Sequence, residues 1–236
     1  MKSDQRKRKP MFVDEPDTGL VISGLRRYNI ITALYFFGRQ RRLLTEFAVH
    51  SGVRSGGQAL DIGCGPGKLV RELGRRVGPT GTVTGVDPSP EAIAYNQRHD
   101  PHHQYLRCTA QQLTLPDADF DVVTCTFVMH HISEQRRGAV IAEMRRVLRP
   151  GGRLLLADAH PSARLRTALT WLGRLRGKEL DGTSDATDIR RYAAVLRENG
   201  FGEPEFVVTG YNTSLLLATR LADRCAVSES VSHDMV

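Results

Sequence analysis

The sequence has little of what marks secreted, metal-stabilised or membrane-spanning proteins. Its four cysteines, at positions 64, 108, 125 and 225, do not show the C-x-x-C spacing of structural zinc sites. No apolar run approaches the roughly 18 residues that a membrane-spanning helix needs. The charged start of the chain leads into no apolar segment, so we expect no secretory signal. These absences predict a cytoplasmic protein with free thiols, no transmembrane segment and no bound metal.

Positive charge is concentrated at one end of the chain. The net charge is +7, and the first nine residues, with five Lys or Arg and one Asp, supply +4 of it. Such a tail is more often solvated than bound to nucleic acid, so RNA is not an expected partner. We predict a disordered basic N-terminus over residues 1–18, a single domain over 19–220 and a flexible tail over 221–236.

The most informative stretch is ALDIGCGPGKLV, residues 59–70. It has the pattern of a buried strand that ends in an acid, Asp61, followed by a glycine-rich turn and the start of a helix. Glycines at 63, 65 and 67 allow a sharp turn and let a ligand lie against the main chain. The free N–H groups at the start of the helix suit an anionic group. This pattern predicts a loop that binds a nucleotide-type cofactor.

A second acid, Asp87, follows a predicted strand at residues 82–86, twenty residues after Gly67. A carboxylate at the end of such a strand can accept both hydroxyls of a ribose, in NAD and S-adenosylmethionine sites alike. The glycine spacing is G-x-G-x-G, which lacks the third glycine of the dinucleotide fingerprint G-x-G-x-x-G. An NAD-binding module or oxidoreductase is therefore the less favoured alternative.

Longer segments resemble a known enzyme family. D-I-G-C-G-P-G followed by G-V-D-P-S resembles motifs I and II of the class I S-adenosylmethionine-dependent methyltransferases. R-R-Y-N near the start and L-R-P-G-G-R-L-L-L-A-D at 148–158 are similar to the ubiquinone/menaquinone-biosynthesis C-methyltransferases. The resemblance implies S-adenosyl-L-methionine as cofactor. It implies cofactor contacts at Tyr28, Asp61, Gly63, Cys64, Gly65, Gly67, Asp87, Pro88, Ala110, Gln111 and Cys125.

Two features of this cofactor site have alternative interpretations: the role of Tyr28 and the residue that recognises adenine. Tyr28, which the resemblance puts near the methionine end of the cofactor, has a packing aromatic as its alternative. Family members carry an acid that bonds the adenine amino group where this chain has Thr109. The hydroxyl of Thr109 can accept that hydrogen bond, or Gln111 can take over the role.

Strand and helix patterns alternate from 59 to 158, which predicts an α/β fold. With two further strands at 205–209 and 213–219, we expect a Rossmann-like, seven-stranded, mostly parallel sheet with helices on both faces and an antiparallel last strand. Apolar spacing between Ile30 and Phe47 predicts one long helix, either a lid on the site or a helix at the domain edge. Residues 159–187 are predicted to be a basic amphipathic cap insertion, for which peripheral membrane contact is a weaker alternative.

The candidate catalytic residues lie where parallel strands end, the edge at which open α/β sheets bind ligands. His130 and His131 follow the fourth predicted strand, and Asp158 ends the fifth. One histidine is expected to act as a base or to orient the acceptor, with turn histidines as the alternative, while Asp158 orients a histidine or the acceptor. We predict O- or C-methylation of a small molecule in biosynthesis. The alternative, RNA or protein methylation, is disfavoured because F-V-M-H replaces the [N/D]-P-P-[F/Y] of nitrogen-directed nucleic-acid enzymes.

Overall fold

A computed structural model describes residues 10–15, 18–36, 38–160 and 187–223. Short 3-10 turns lie at Gly78–Thr80, Met129–His131 and Ile189–Tyr192. The strands and α-helices, in chain order, are β1 (Phe12–Glu15), β2 (Gly19–Ile22), α1 (Leu25–Tyr35), α2 (Gln40–His50), β3 (Gln58–Ile62), α3 (Lys68–Val77), β4 (Thr82–Val86), α4 (Pro90–His99), β5 (Gln104–Leu106), β6 (Phe120–Thr126), α5 (Glu134–Val147), β7 (Leu148–Ala159), α6 (Ala193–Glu198), β8 (Glu205–Val208) and β9 (Thr213–Thr219).

Seven of these strands form one sheet in the order β5-β4-β3-β6-β7-β9-β8. β3, β4, β5, β6 and β7 pair in parallel, whereas β9 runs antiparallel to both β7 and β8. The predicted sheet, with its antiparallel last strand, is confirmed. The chain proceeds from β3 to one side of the sheet and then crosses to β6 on the other side. The crevice at the carboxyl ends of β3 and β6 is therefore the topological switch point, where such sheets bind ligands.

Both faces of the sheet are covered, as strands that are apolar at nearly every position require. Side chains alternate along each strand, so Leu60 and Ile62 enter one core cluster while Ala59 enters the other. Helices α5 and α6 cover the first face, and α2 and α3 cover the second. This packing holds the carboxyl ends of the strands in fixed positions around the crevice.

The start of the domain differs from the prediction in two ways. The expected long helix is two helices, α1 and α2, because the chain turns at Gly38, which has a φ of +73°. Ile30 and Leu34 on α1 are 61% and 69% exposed, while Leu43 on α2 is fully buried. The prediction of disorder over 1–18 is wrong for Phe12–Glu15, which pairs antiparallel with Gly19–Ile22 to form a β-hairpin.

Residues 149–152 form an irregularity inside β7. Phe120 pairs with Leu148 and Val122 pairs with Arg153, so four residues of β7 lie opposite Asp121. None of the helices in the described part of the chain is long and apolar enough to span a membrane. Of the predicted cap insertion, 161–186 lies outside the described residues, as do 1–9 of the predicted basic N-terminus and 224–236 of the predicted tail.

Candidate active site

The glycine-rich loop connects the end of β3 to the start of α3. Gly63, Gly65 and Gly67 all have positive φ, at +71°, +47° and +68°. A Cβ on Gly63 would lie 2.3 Å from Cγ2 of Val128, and a Cβ on Gly67 would lie 2.7 Å from a polar atom of Asn96. The loop therefore requires glycine both for its backbone conformation and for its close approach to neighbouring segments.

Asp87 follows β4 directly and points into this loop. One carboxylate oxygen accepts a hydrogen bond from the Gly65 amide at 2.8 Å, and the other accepts from the Ser89 amide at 2.8 Å. Burial raises the pKa of Asp87, although both hydrogen bonds oppose that shift. Each carboxylate oxygen has a second lone pair, so Asp87 can still accept the hydroxyls of a ribose.

Asp61 lies on β3, immediately before the loop, and is 2% exposed. Its Oδ1 accepts a hydrogen bond from the Thr124 hydroxyl at 2.8 Å. Burial raises the pKa of Asp61 to about 7, and the nearby Asp87 adds to that shift while the Thr124 hydrogen bond opposes it. A cationic ligand group beside Asp61 would favour the ionised carboxylate.

Two cavities meet at the glycine loop. The first lies between the hairpin and the ends of β3, β4 and β6, and Asp87 is on its wall. The second lies between α2 and the loop, and Asp61 is on its wall. Both are lined by Tyr28, Gly63, Thr126 and Phe127. This arrangement offers one elongated ligand two compartments joined at Gly63.

Tyr28 lies at that junction. Burial, with smaller contributions from the charges of Asp87 and Asp61, raises the pKa of Tyr28 to about 12. Phe127 shares the junction and has a φ of +60°, which is rare for a bulky residue and marks a strained backbone at the end of β6. Phe36 and Phe47 pack against the Phe127 ring, at centroid distances of 5.7 and 6.0 Å.

The hairpin of β1 and β2 covers the first cavity. The Phe12 ring lies 6.0 Å from the Tyr28 ring and 5.3 Å from the His131 ring. The Ser89 hydroxyl donates a hydrogen bond to the Ile22 carbonyl at 2.6 Å, which ties the hairpin to the start of α4. The hairpin is not among the elements predicted from the sequence. The turn-forming letters P-D-T-G at 16–19, between two short apolar runs, were the available signal.

His130 forms a dyad with Asp158, since β6 and β7 are neighbours in the sheet. The His130 Nδ1 and the Asp158 Oδ2 are 2.8 Å apart. The carboxylate is 1% exposed, and its other oxygen accepts the Ala159 amide at 2.8 Å. Because a carboxylate only accepts, Nδ1 carries the hydrogen and Nε2 keeps a free lone pair. The imidazole side chain retains 24% exposure, and His130 and Asp158 lie outside the linings of both cavities.

His131 has a different environment. It lines the first cavity, and its ring centroid lies 3.9 Å from that of His130. Burial lowers the pKa of His131 to about 4, and the neighbouring His130 contributes to the shift. His131 is therefore a neutral wall residue near pH 7, while His130 has the partner that a base needs.

The central part of the chain matches a family model. Residues 59–152 match a family described as "methyltransferase domain". Over this segment the chain is similar to methyltransferase domains. The chain is 34% identical over 139 residues to the ubiquinone/menaquinone biosynthesis C-methyltransferase UbiE of Hahella chejuensis, which covers 56% of this chain and 55% of the relative. It is 35% identical over 128 residues to UbiE of Pseudomonas putida, covering 51% and 49%. The chain thus spans about half the length of the curated relatives it matches.

Solved structures of other proteins share the fold of this chain. A SAM-dependent methyltransferase from Aquifex aeolicus aligns with a TM-score of 0.64 at 20% identity, covering 84% of this chain and 98% of that one. The [4+2]-cyclase SpnF aligns with a TM-score of 0.59 at 18% identity, covering 78% and 81%. At such identities the likeness shows the fold alone, so function must come from the site.

The residues expected to bind a cofactor are distributed over the two cavities. Those on the first wall are Tyr28, Gly63, Asp87, Pro88, Ala110 and Gln111, and those on the second are Tyr28, Asp61, Gly63, Cys64 and Gly65. Gly67 lies directly before α3 and lines neither cavity. Cys125 lines neither cavity, because strand alternation turns it into the core, and Thr126 takes the wall position instead. Among the described residues, no cluster of His, Cys, Asp or Glu is arranged to hold a metal ion.

Proposed function

We propose that this protein transfers a methyl group from S-adenosyl-L-methionine to a small-molecule acceptor. The observation that carries the proposal is the pair of cavities joined at Gly63, with a buried carboxyl in each. Asp87 and the first cavity would hold the adenosyl part, and Asp61 and the second would hold the amino-acid part. The match of residues 59–152 to a methyltransferase domain supports this reading.

The residues of the site fit this cofactor. Gly63 lines both cavities, so its backbone is open to a ligand that spans them. Burial has raised the pKa of Asp61 and Asp87, so each would gain from a cationic or hydroxyl-bearing ligand. When bound, S-adenosyl-L-methionine supplies a methyl group on a sulfonium, which is already activated toward in-line displacement.

His130 is proposed as the general base. Its Nε2 would take the proton from an acceptor hydroxyl or acidic carbon, while Asp158 holds Nδ1 and stabilises the resulting imidazolium. Such a base contributes about 10²–10⁴-fold in rate. The larger share would come from orientation, about 7–11 kcal/mol, provided by the walls at Tyr28 and Phe127 that both cavities share.

We further propose an acceptor with an apolar body and one ionisable hydroxyl or acidic carbon, quinone-like or another biosynthetic metabolite. Aromatic rings at Phe12, Tyr28 and Phe127 line the first cavity, next to His131. The relatives are named for a small-molecule pathway, which does not favour the RNA or protein alternative. The described cysteines are free thiols, which supports a reducing, cytoplasmic location.

A titration calorimetry experiment tests the proposal. The protein should bind S-adenosylhomocysteine saturably at micromolar concentration and should not bind NAD. Asp87→Ala should abolish binding, because the ribose loses its acceptor and the loop loses the Gly65 hydrogen bond. Asp117→Ala is the matched control, since that carboxylate is 76% exposed and lies outside both cavities. Saturable NAD binding without S-adenosylhomocysteine binding would overturn the proposal.

A further inference from the structure

A further pocket lies at the edge of the sheet opposite the candidate active site. Its walls are residues 52–57, between α2 and β3, and residues 149–153 at the irregularity in β7, together with Asp121 and Val122 of β6. These segments lie at the amino ends of the parallel strands, whereas the cavities at the glycine loop lie at the carboxyl ends. The pocket is therefore separate from the proposed cofactor site, at the other end of the same strands.

Three arginines line this pocket, and one of them has a carboxylate partner. Arg149 and Asp121 form an ion pair at 2.7 Å, and the other oxygen of Asp121 accepts a hydrogen bond from the Gln58 amide at 2.8 Å. Among the residues that the structure describes, no carboxylate lies within ion-pair distance of Arg54 or Arg153. The pocket therefore carries two positive charges that its own acid does not balance.

The Arg153 guanidinium is held in place by packing against the backbone. A Cβ added to Gly52 would lie 2.9 Å from its Nη1 and 3.2 Å from its Cζ. Nη2 donates a long hydrogen bond of 3.4 Å to the His50 carbonyl, and no shorter bond of this side chain occurs within the described ranges. Because arginine presents five N–H groups in a planar fork, most of these donors stay available to a ligand.

Arg54 and Ser55 add donors in the turn that precedes β3. The Gly57 amide donates to the Arg54 carbonyl at 3.0 Å, which fixes the backbone of this turn. Arg54 and Ser55 are exposed, and their side chains have no hydrogen-bond partner in the described part of the chain. The two segments thus place two guanidinium groups and one hydroxyl around the same pocket.

We propose that this pocket binds the phosphate group of a small molecule. The forks of Arg54 and Arg153 donate to phosphate oxygens, and the Ser55 hydroxyl donates to another. A phosphate group carries a charge of about −1.5 to −2 at pH 7, which balances the two free guanidinium groups, whereas a carboxylate balances only one. This inference does not depend on the proposed function, since no residue of the pocket lines the cavities at the glycine loop.

Calorimetric titration with inorganic phosphate and with methyl phosphate, at constant ionic strength, tests the inference. The wild type should bind at least one of them saturably, and the tighter of the two shows whether the pocket takes free phosphate or a phosphate ester. Arg54→Gln and Arg153→Gln should each weaken binding by about tenfold or more, because each removes a charged fork. Arg54 is exposed, so its replacement leaves the fold intact. Arg98→Gln, exposed on α4 and outside the pocket, is the matched control and should bind as the wild type does.

The same titration in saturating S-adenosylhomocysteine locates the bound phosphate. This control is needed because the N–H groups at the start of α3 can also bind phosphate. The affinity for phosphate should be the same with and without S-adenosylhomocysteine. Competition between the two ligands, equal weakening in Arg98→Gln and Arg54→Gln, or no saturable binding of either phosphate compound would overturn the inference. A protein that does not bind S-adenosylhomocysteine would refute the proposed function, while the arginine variants would still test the pocket.

Discussion

Asp61→Asn should make the ligand-free protein more stable and the cofactor complex weaker. The substitution preserves the shape of the side chain and an oxygen that accepts from the Thr124 hydroxyl. It removes a carboxyl that is 2% exposed and whose burial raises its pKa from 3.8 to about 7. The Asp61 carboxyl therefore destabilises the folded state at pH values at which it is ionised.

The direction and size of this change in stability follow from the difference between the pKa of Asp61 in the folded state and its pKa in the unfolded state. The folded state holds its proton more tightly than the unfolded state, so the stability contribution of Asp61 is present below pH 3.8 and is lost as pH rises to about 7. The shift corresponds to roughly 4 kcal/mol at pH 8, which is an upper bound on the gain from Asp61→Asn. Between pH 8 and pH 5 the gain should shrink by about 3 kcal/mol, because the folded wild type is protonated at pH 5.

Urea unfolding at pH 8, 6.5 and 5 measures these free energies directly. Asp119→Asn is the control, since that carboxylate is 45% exposed. Calorimetry at pH 8 should show weaker S-adenosylhomocysteine binding to Asp61→Asn, because the ligand's ammonium loses its counter-charge. A gain in stability that is the same at all three pH values would refute the electrostatic reasoning.

Three further predictions concern the loop and the histidines. Gly63→Ala should lose about 1–3 kcal/mol of unfolding free energy in urea, because alanine is strained at a φ of +71° and its Cβ would clash with Val128. The control Gly138→Ala adds a Cβ in open space on α5, so it should be neutral or gain about 1 kcal/mol. Asp158→Asn should lower kcat by about 10²-fold or more in a labelled-methyl assay, while the affinity for S-adenosylhomocysteine stays within twofold. Equal losses in kcat and in affinity would argue against a catalytic role for the dyad. His131→Asn should reduce the loss of unfolding free energy as the pH falls from 6.5 to 4. Because the pKa of His131 is about 4 in the folded state against 6.5 in the unfolded state, protonation favours unfolding by up to about 3 kcal/mol at pH 4. The same loss of unfolding free energy in wild type and variant would contradict the burial of His131.

The sequence by itself determined the sheet, the glycine loop and the two acids. Gly63 and Gly67 are needed at positions set by the local backbone, and Asp61 and Asp87 come at the ends of strands whose apolar runs are readable in isolation. Local conformation and strand periodicity involve near neighbours in the chain, so these features leave a pattern in the letters.

Only the tertiary structure decided which side chains share the site. It placed the Phe12 hairpin over the cavity, distinguished His130 from His131 by the Asp158 partner, and turned Gln111 rather than Thr109 toward the ligand space. It also moved Cys125 into the core and Thr126 onto the wall. The physical reason is that burial and hydrogen-bond partners come from residues far apart in sequence, such as His130 and Asp158, and the spacing of letters carries no record of those contacts.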